Sequence, residues 1–143
     1  MEAKRNTRKI AVQAVFQFFF SKEDINEILE EFCNYRIKEF KNYKKKYDIV
    51  FLKKIVTGVH QNEKKIIKII EANLSENWLL NRVDLTMKAI ISLAIYELIN
   101  FENIPLQIII NEYVSIANQY LDQRNTGFIN GILDNIAKNI RKI

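Results

Sequence analysis

The residues of this chain predict an all-α fold, two packed helical halves with about six or seven helices between them. Three observations carry that prediction. Apolar residues recur at helical spacing along most of the chain, and no segment of useful length alternates with the period of a half-buried strand. The 143 residues include three glycines and one proline, too few for the turns of a β-protein. Positions 89–99 hold only Ser92 and Glu97 as polar residues. A helix there is apolar on every side and must be buried on every side.

The length fits one domain over 1–143, with helical halves at about 1–73 and 74–143. An apolar content of 48% argues against disorder. The single cysteine, Cys33, allows no disulfide within the chain and no thiolate metal cluster, which fits a reducing cytoplasm. The N-terminus opens on charges rather than an apolar signal core, and no run reaches the ~20 apolar residues that a bilayer requires. A cytoplasmic protein without a membrane partner is expected. The formal net charge is +5, and it is concentrated. Positions 36–46 carry six basic residues and one acid, positions 1–10 four basic residues and one acid, so the remainder is slightly acidic. Two such clusters suggest an anionic partner.

Taken in order, the first helix is expected over 3–20, with Ile10, Ala11, Ala14, Val15 and Phe18 as its apolar stripe. Lys4, Arg5, Arg8 and Lys9 fall on the neighbouring face. Cations in a first turn oppose the helix dipole, so this pattern serves stability poorly and hints at function. Ser21 to Asp24 reads as a capping start for a second helix over 24–40, with Ile25, Ile28, Leu29 and Phe32 inward. The basic run after it is expected to be a solvated helix end and loop, because Lys44, Lys45 and Lys46 repel one another. Asp48 is suited to cap a long third helix reaching 73, with Ile49, Leu52, Val56, Val59, Ile66 and Ile70 as its stripe. Gly58 inside it costs about 1 kcal/mol relative to alanine, which predicts close approach of another helix. His60 has no second histidine or paired acid in a motif and is expected at the surface. Ser75 is expected to cap a short helix to 80, with Trp78 as a core anchor. Asp84 opens the central helix to about 100, and Pro105 the next, over 105–121, because proline suits a first turn. The last helix is expected over 126–140, with Ile129, Ile132, Leu133, Ile136 and Ile140 inward and Gly131 marking tight packing.

Catalytic signatures are not found. There is no glycine-rich phosphate loop, no G-x-S-x-G, no H-E-x-x-H and no C-x-x-C. Nothing nominates a nucleophile, base or metal cluster, so no enzyme activity, metal or cofactor is expected. RNA binding has physical support. Single strands are held by cations on phosphates and aromatic faces on bases. The first helix offers Lys4, Arg5, Arg8 and Lys9, then Gln13 with base-edge capacity, then Phe16 and Phe20.

The string WLLNRVDLTMKAIISLAIYEL from Trp78, the pair Ile104-Pro105 leading to Ile110-Asn111-Glu112, and FINGILD from Phe128 to Asp134 together resemble the transcription antitermination factor NusB family. KRNTRKIAVQAVF, from Lys4 to Phe16, resembles that family's basic first helix. The resemblance implies a NusB-like helical bundle. It implies binding of a boxA-like single-stranded RNA together with the ribosomal protein NusE, within an antitermination complex on RNA polymerase during ribosomal RNA transcription. It also implies that the first helix meets the FINGILD segment with RNA across both, which adds Tyr120, Arg124 and Phe128 to the candidates. Asn111, Glu112 and Asn130 are expected instead to satisfy buried backbone groups. The chain departs from the family pattern where Asn6 and Thr7 replace further cations, where Met87 stands for a common acid and where Ser92 stands for a common arginine. The last two lie on the helix that in the family helps receive NusE, so Met87 and Lys88 are the candidate partner surface. A glutamate at 87 would close a capping box with Asp84 if that position is exposed. Two alternatives stand beside this reading. One is the related RNA-binding domain of ribosomal RNA methyltransferases, disfavoured because no nucleotide-binding domain follows to Ile143. The other is a helical module that sets its basic loop on an acidic protein or a membrane surface.

Overall fold

The computed structural model describes residues 2–74 and 84–141; the expected short helix at 75–80 and Trp78 lie outside them. Among the described residues there are eight α-helices and no strand. They are α1 (Glu2–Ser21), α2 (Ile25–Glu31), α3 (Tyr43–Lys46), α4 (Ile49–Gln61), α5 (Glu63–Asn73), α6 (Leu85–Asn100), α7 (Leu106–Tyr120) and α8 (Gln123–Arg141).

α6 is the axis of the molecule, packed against α1, α4, α5, α7 and α8. Met87 and every residue from Ala89 to Leu98 are buried, as an all-round apolar helix requires. Each fully buried leucine or isoleucine contributes about 1.5–3 kcal/mol relative to an exposed one. Four aspartates start helices by accepting from free backbone N–H groups, Asp122 doing so for α8 through Asn125 N at 2.8 Å. Asp24 caps α2 through Asn26 N at 2.8 Å, Asp48 caps α4 through Phe51 N at 3.0 Å, and Asp84 caps α6 through Met87 N at 2.8 Å. The C-terminal end of α6 is closed from far along the chain. The Arg141 guanidinium donates to the carbonyls of Leu98 (3.1 Å), Phe101 (2.9 Å) and Ile104, filling acceptors that a helix end leaves open.

Gly58 does mark a close approach. A Cβ built there would lie 2.2 Å from the Tyr96 ring, so the side chain that α4 lacks is the space α6 uses. Gly131 is different: it is exposed, and a Cβ would meet nothing within 4 Å. The expected long helix over 48–73 is two helices. The break is at Asn62, whose backbone leaves helical geometry (φ −110°, ψ 19°) while its side chain donates to the Gly58 carbonyl at 2.8 Å. The same carbonyl accepts from the Asn62 backbone N–H at 3.0 Å, so Asn62 bonds back to α4 twice while the chain turns without proline or glycine at the junction. Ser21 is not the cap of α2; its hydroxyl donates to the Gln17 carbonyl and accepts from Glu23 N, closing α1 instead. After α2 the chain stays helical to Glu39 through a π turn and a 3-10 turn. It then reverses at Asn42, in the left-handed region (φ 60°), before α3. His60 is exposed, with its ring edge-on to Phe18 at 4.9 Å between centroids.

Candidate nucleic-acid interface

α1 has two faces. Arg5, Lys9, Gln13, Phe16 and Phe20 follow one another at intervals of four, four, three and four, so helical geometry lines them along one side. Arg5, Gln13, Phe16 and Phe20 are exposed and Lys9 is half-buried. The rings of Phe16 and Phe20 are parallel to within 7°, with centroids 6.0 Å apart. Apolar rings left in water, Phe20 at 73% exposure, are surfaces on which a partner can stack. They line a groove of about 370 Å³ with Gln13, Gln17, Arg36, Thr86 and Tyr120. Four of the residues named from sequence, Gln13, Phe16, Phe20 and Tyr120, are thus brought to one groove. Gln17 and Arg36 join them. Gln17 was legible as the residue one turn beyond Gln13. Arg36 was not, because only the path of the chain after α2 brings it to α1, where its guanidinium reaches the Gln17 side-chain oxygen at 3.5 Å.

The adjoining face of α1 corrects one assignment. Arg8 is buried, 4% exposed. Its Nε and Nη2 donate to the two carboxylate oxygens of Glu97 on α6, at 2.9 and 2.8 Å. The Tyr113 hydroxyl of α7 donates to the same carboxylate. Burial works against the Arg8 charge, but the hydrogen bond and charge of Glu97 outweigh it and hold its pKa above the ordinary arginine value. Burial first, and the Glu97 charge second, push the Tyr113 phenol well above its usual range, so it stays a donor. Arg8 therefore ties α1 to α6 and α7 and has no free edge for a phosphate. Leaving Glu97 would strand a buried carboxylate.

Arg5, one turn earlier, is on the outside. Its Nε lies 3.2 and 3.1 Å from the two oxygens of Glu112 on α7, and its side chain is 56% exposed. Glu112 also approaches Arg8 at 3.9 Å. It serves guanidinium groups and not the buried backbone expected of it. Asn111 accepts from Gln107 at 2.8 Å, and Asn130 is exposed. Lys4 is exposed, with its ammonium 5.5 Å from the centre of the Phe51 ring. Arg124 and Phe128 are in the first turns of α8, the first exposed and the second half-buried.

The proposed partner surface is corrected as well. Met87 is 2% exposed, so it is packed within the molecule and offers nothing to another protein. Lys88 is half-buried, its ammonium 4.1 Å from the centre of the Phe19 ring. A glutamate at 87 would place a carboxylate inside the core, where its desolvation opposes any gain from a capping box.

The resemblance implied a first helix meeting the FINGILD segment; the groove holds Tyr120 beside α1, but Arg124 and Phe128 are not in its lining. The NusB family model matches residues 5–138. The chain belongs to the NusB family. A transcription antitermination protein NusB from Clostridium novyi is 33% identical over 94% of this chain and 98% of its own length. The solved structure of NusB from T. maritima is 33% identical and superposes with a TM-score of 0.78, covering 96% of this chain and 93% of that one. A NusB crystallised with NusE and double-stranded RNA shares the fold at a TM-score of 0.82 and 23% identity, over 97% of this chain and 98% of that one. Among the described residues no helix is long and apolar enough to cross a membrane.

Proposed function

We propose that this NusB-family protein is a transcription antitermination factor. In this reading it binds a boxA-like single-stranded RNA, joins NusE, and contributes to an antitermination complex on RNA polymerase during ribosomal RNA transcription. The observation that carries the RNA part is the outer face of α1, where Arg5 and Lys9 lead into the groove of Gln13, Phe16 and Tyr120. Cations meet phosphates there, and the exposed rings meet bases. A single strand fits this better than a duplex, whose paired bases keep their faces stacked inside. Lys4, at the start of α1, and Arg124 and Phe128, in the first turns of α8, are the further candidate contacts. The NusE part is supported by relationship: a NusB of the same fold is crystallised with NusE and RNA. Met87 takes no part in it.

The test is binding of a boxA-type RNA, a scrambled RNA of equal length and a duplex, each with and without NusE. Preference for the boxA strand, strengthened by NusE, is expected. Equal affinity for all three would remove the reading.

A further inference from the structure

The chain's strongest concentration of charge, at 36–46, is not used by the α1 groove apart from Arg36. The fold brings it to α1 nonetheless. The Asn6 side chain donates to the Lys46 carbonyl at 3.2 Å, and the Asp48 backbone N–H donates to the Thr7 hydroxyl at 2.8 Å. Clusters with 25 residues between them in sequence are therefore continuous at the start of α1. Between them runs a second groove of about 530 Å³, lined by Ala3 of α1, by Lys38, Tyr43, Lys44 and Tyr47, and by the start of α4. Lys38, Lys41, Lys44, Lys45 and Lys46 are all exposed, and among the described residues none is in an ion pair. The nearby acids do not cancel them. Glu39 is a single charge against five, and the Asp48 carboxylate is engaged as the cap of α4.

We propose that this groove binds nucleotides of single-stranded RNA that flank the segment held on the outer face of α1, an assignment that rests on the RNA reading above. The side chains supply what a single strand needs without sequence preference: lysines as point charges for successive phosphates and two half-buried tyrosine rings for bases. The register follows from continuity. A strand that leaves Arg5 and Lys9 passes Asn6 and arrives at Lys46 and the groove. The left-handed turn at Asn42 and the bond to Lys46 hold α3 in place for it. The protein would then grip a longer RNA than its specific element, with affinity from the flank and selectivity from the α1 groove.

The experiment compares a short boxA-type RNA with the same RNA carrying about six uridines at either end, a length within the span of one single-strand site. The wild type is measured beside Lys38→Ala/Lys44→Ala/Lys45→Ala and an equal-charge control on α5, Lys64→Ala/Lys65→Ala/Lys68→Ala. All six lysines are exposed, and unchanged thermal melts will confirm that the variants fold. The extension should tighten wild-type binding by on the order of tenfold at low salt. The gain should vanish in the groove variant and survive in the α5 control, with the short RNA bound equally by all three. The salt slope on the extended RNA should fall by about 2 in the groove variant, about 0.7 for each lost phosphate contact. No gain from extension in the wild type overturns the proposal, as does a gain that both variants lose alike, which would be diffuse charge. Retention of the wild type but not the groove variant on phosphatidylserine vesicles, without an RNA length effect, would give the groove to a membrane surface instead. A wild type that binds neither RNA fails at the earlier step, the RNA reading itself, and takes this one with it.

Discussion

Arg5 and Arg8 sit one turn apart on the same helix and do opposite work. Arg5 is more than half exposed, held at Nε by Glu112 and otherwise facing solvent. Arg8 is sealed between α1, α6 and α7 with its charge spent on Glu97. Composition counts the two equally, and so does any reading of a basic first helix. Helical phase sets them only about 60° apart, neighbours that both approach Glu112, and that small turn takes the side chain from the rim to the core. A cluster of cations is therefore not a binding site until each has been asked which internal carboxylate it already serves.

The largest test of that contrast is stability. Arg8→Ala or Glu97→Ala should each cost about 3–5 kcal/mol, because each strands a buried charge. Arg5→Ala should stay within about 0.5 kcal/mol, as an exposed pair contributes little. Urea unfolding of the three variants checks the order. The combined replacement Arg8→Met/Glu97→Leu/Tyr113→Phe should recover most of the loss, since it removes every member of the network at once. Failure to recover would mean that shape, and not charge, holds α1 on α6.

Met87 extends the contrast to α6. Met87→Glu should destabilise by about 2 kcal/mol or more, because a carboxylate replaces a side chain packed inside the molecule. Gain of stability in thermal melts would show that the position opens to water and that the capping box forms after all.

Function gives the next comparison, with a smaller free-energy change. Arg5→Ala/Lys9→Ala should reduce the salt slope for single-stranded RNA by about 1.4, about 0.7 per phosphate. The Arg8 triple replacement should leave both affinity and slope as they are. Loss of RNA binding in the triple replacement, with folding intact, would return Arg8 to the outer face.

Much of this was readable from sequence, for local reasons. Stripes, the caps Asp48 and Asp84 and the close approach at Gly58 depend on neighbours within a turn or on a residue that lacks a side chain. The break at Asn62 was not readable, because the signal is one amide bonding back to its own helix, which asparagine does in many places without ending one. The fate of Arg8 was not readable either: its partner is 89 residues away, and helical phase could say that Arg8 neighbours the stripe but not that a buried acid waits there. Glu97 offered half of that signal. An acid alone in an apolar run needs a cation, but with 22 lysines and arginines in the chain nothing local says which one. Arg141 gave no signal at all, since its three acceptors are main-chain carbonyls of the end of α6 and the turn that follows it.

Ser92 is the smallest and cleanest contrast with Glu97, the other polar residue of the buried run. Glu97 is fully satisfied by Arg8 and Tyr113. The Ser92 hydroxyl, 1% exposed, makes no hydrogen bond among the described residues. An unsatisfied buried hydroxyl costs about 1–3 kcal/mol relative to a bonded one, and alanine is the better helix former by a few tenths. Ser92→Ala removes the hydroxyl and leaves a void smaller than a methyl group. The variant should therefore be more stable by about 1 kcal/mol, a rise of about 4 °C in melting temperature for a domain of this size. RNA binding should not change, because nothing on α6 at this depth reaches the groove. If Ser92→Ala melts lower instead, the hydroxyl has a partner in solution, and a buried water bridging it to a helix carbonyl is the simplest one. The buried run would then hold two satisfied polar groups, and α6 would owe its place to hydrogen bonding at Ser92 as well as at Glu97.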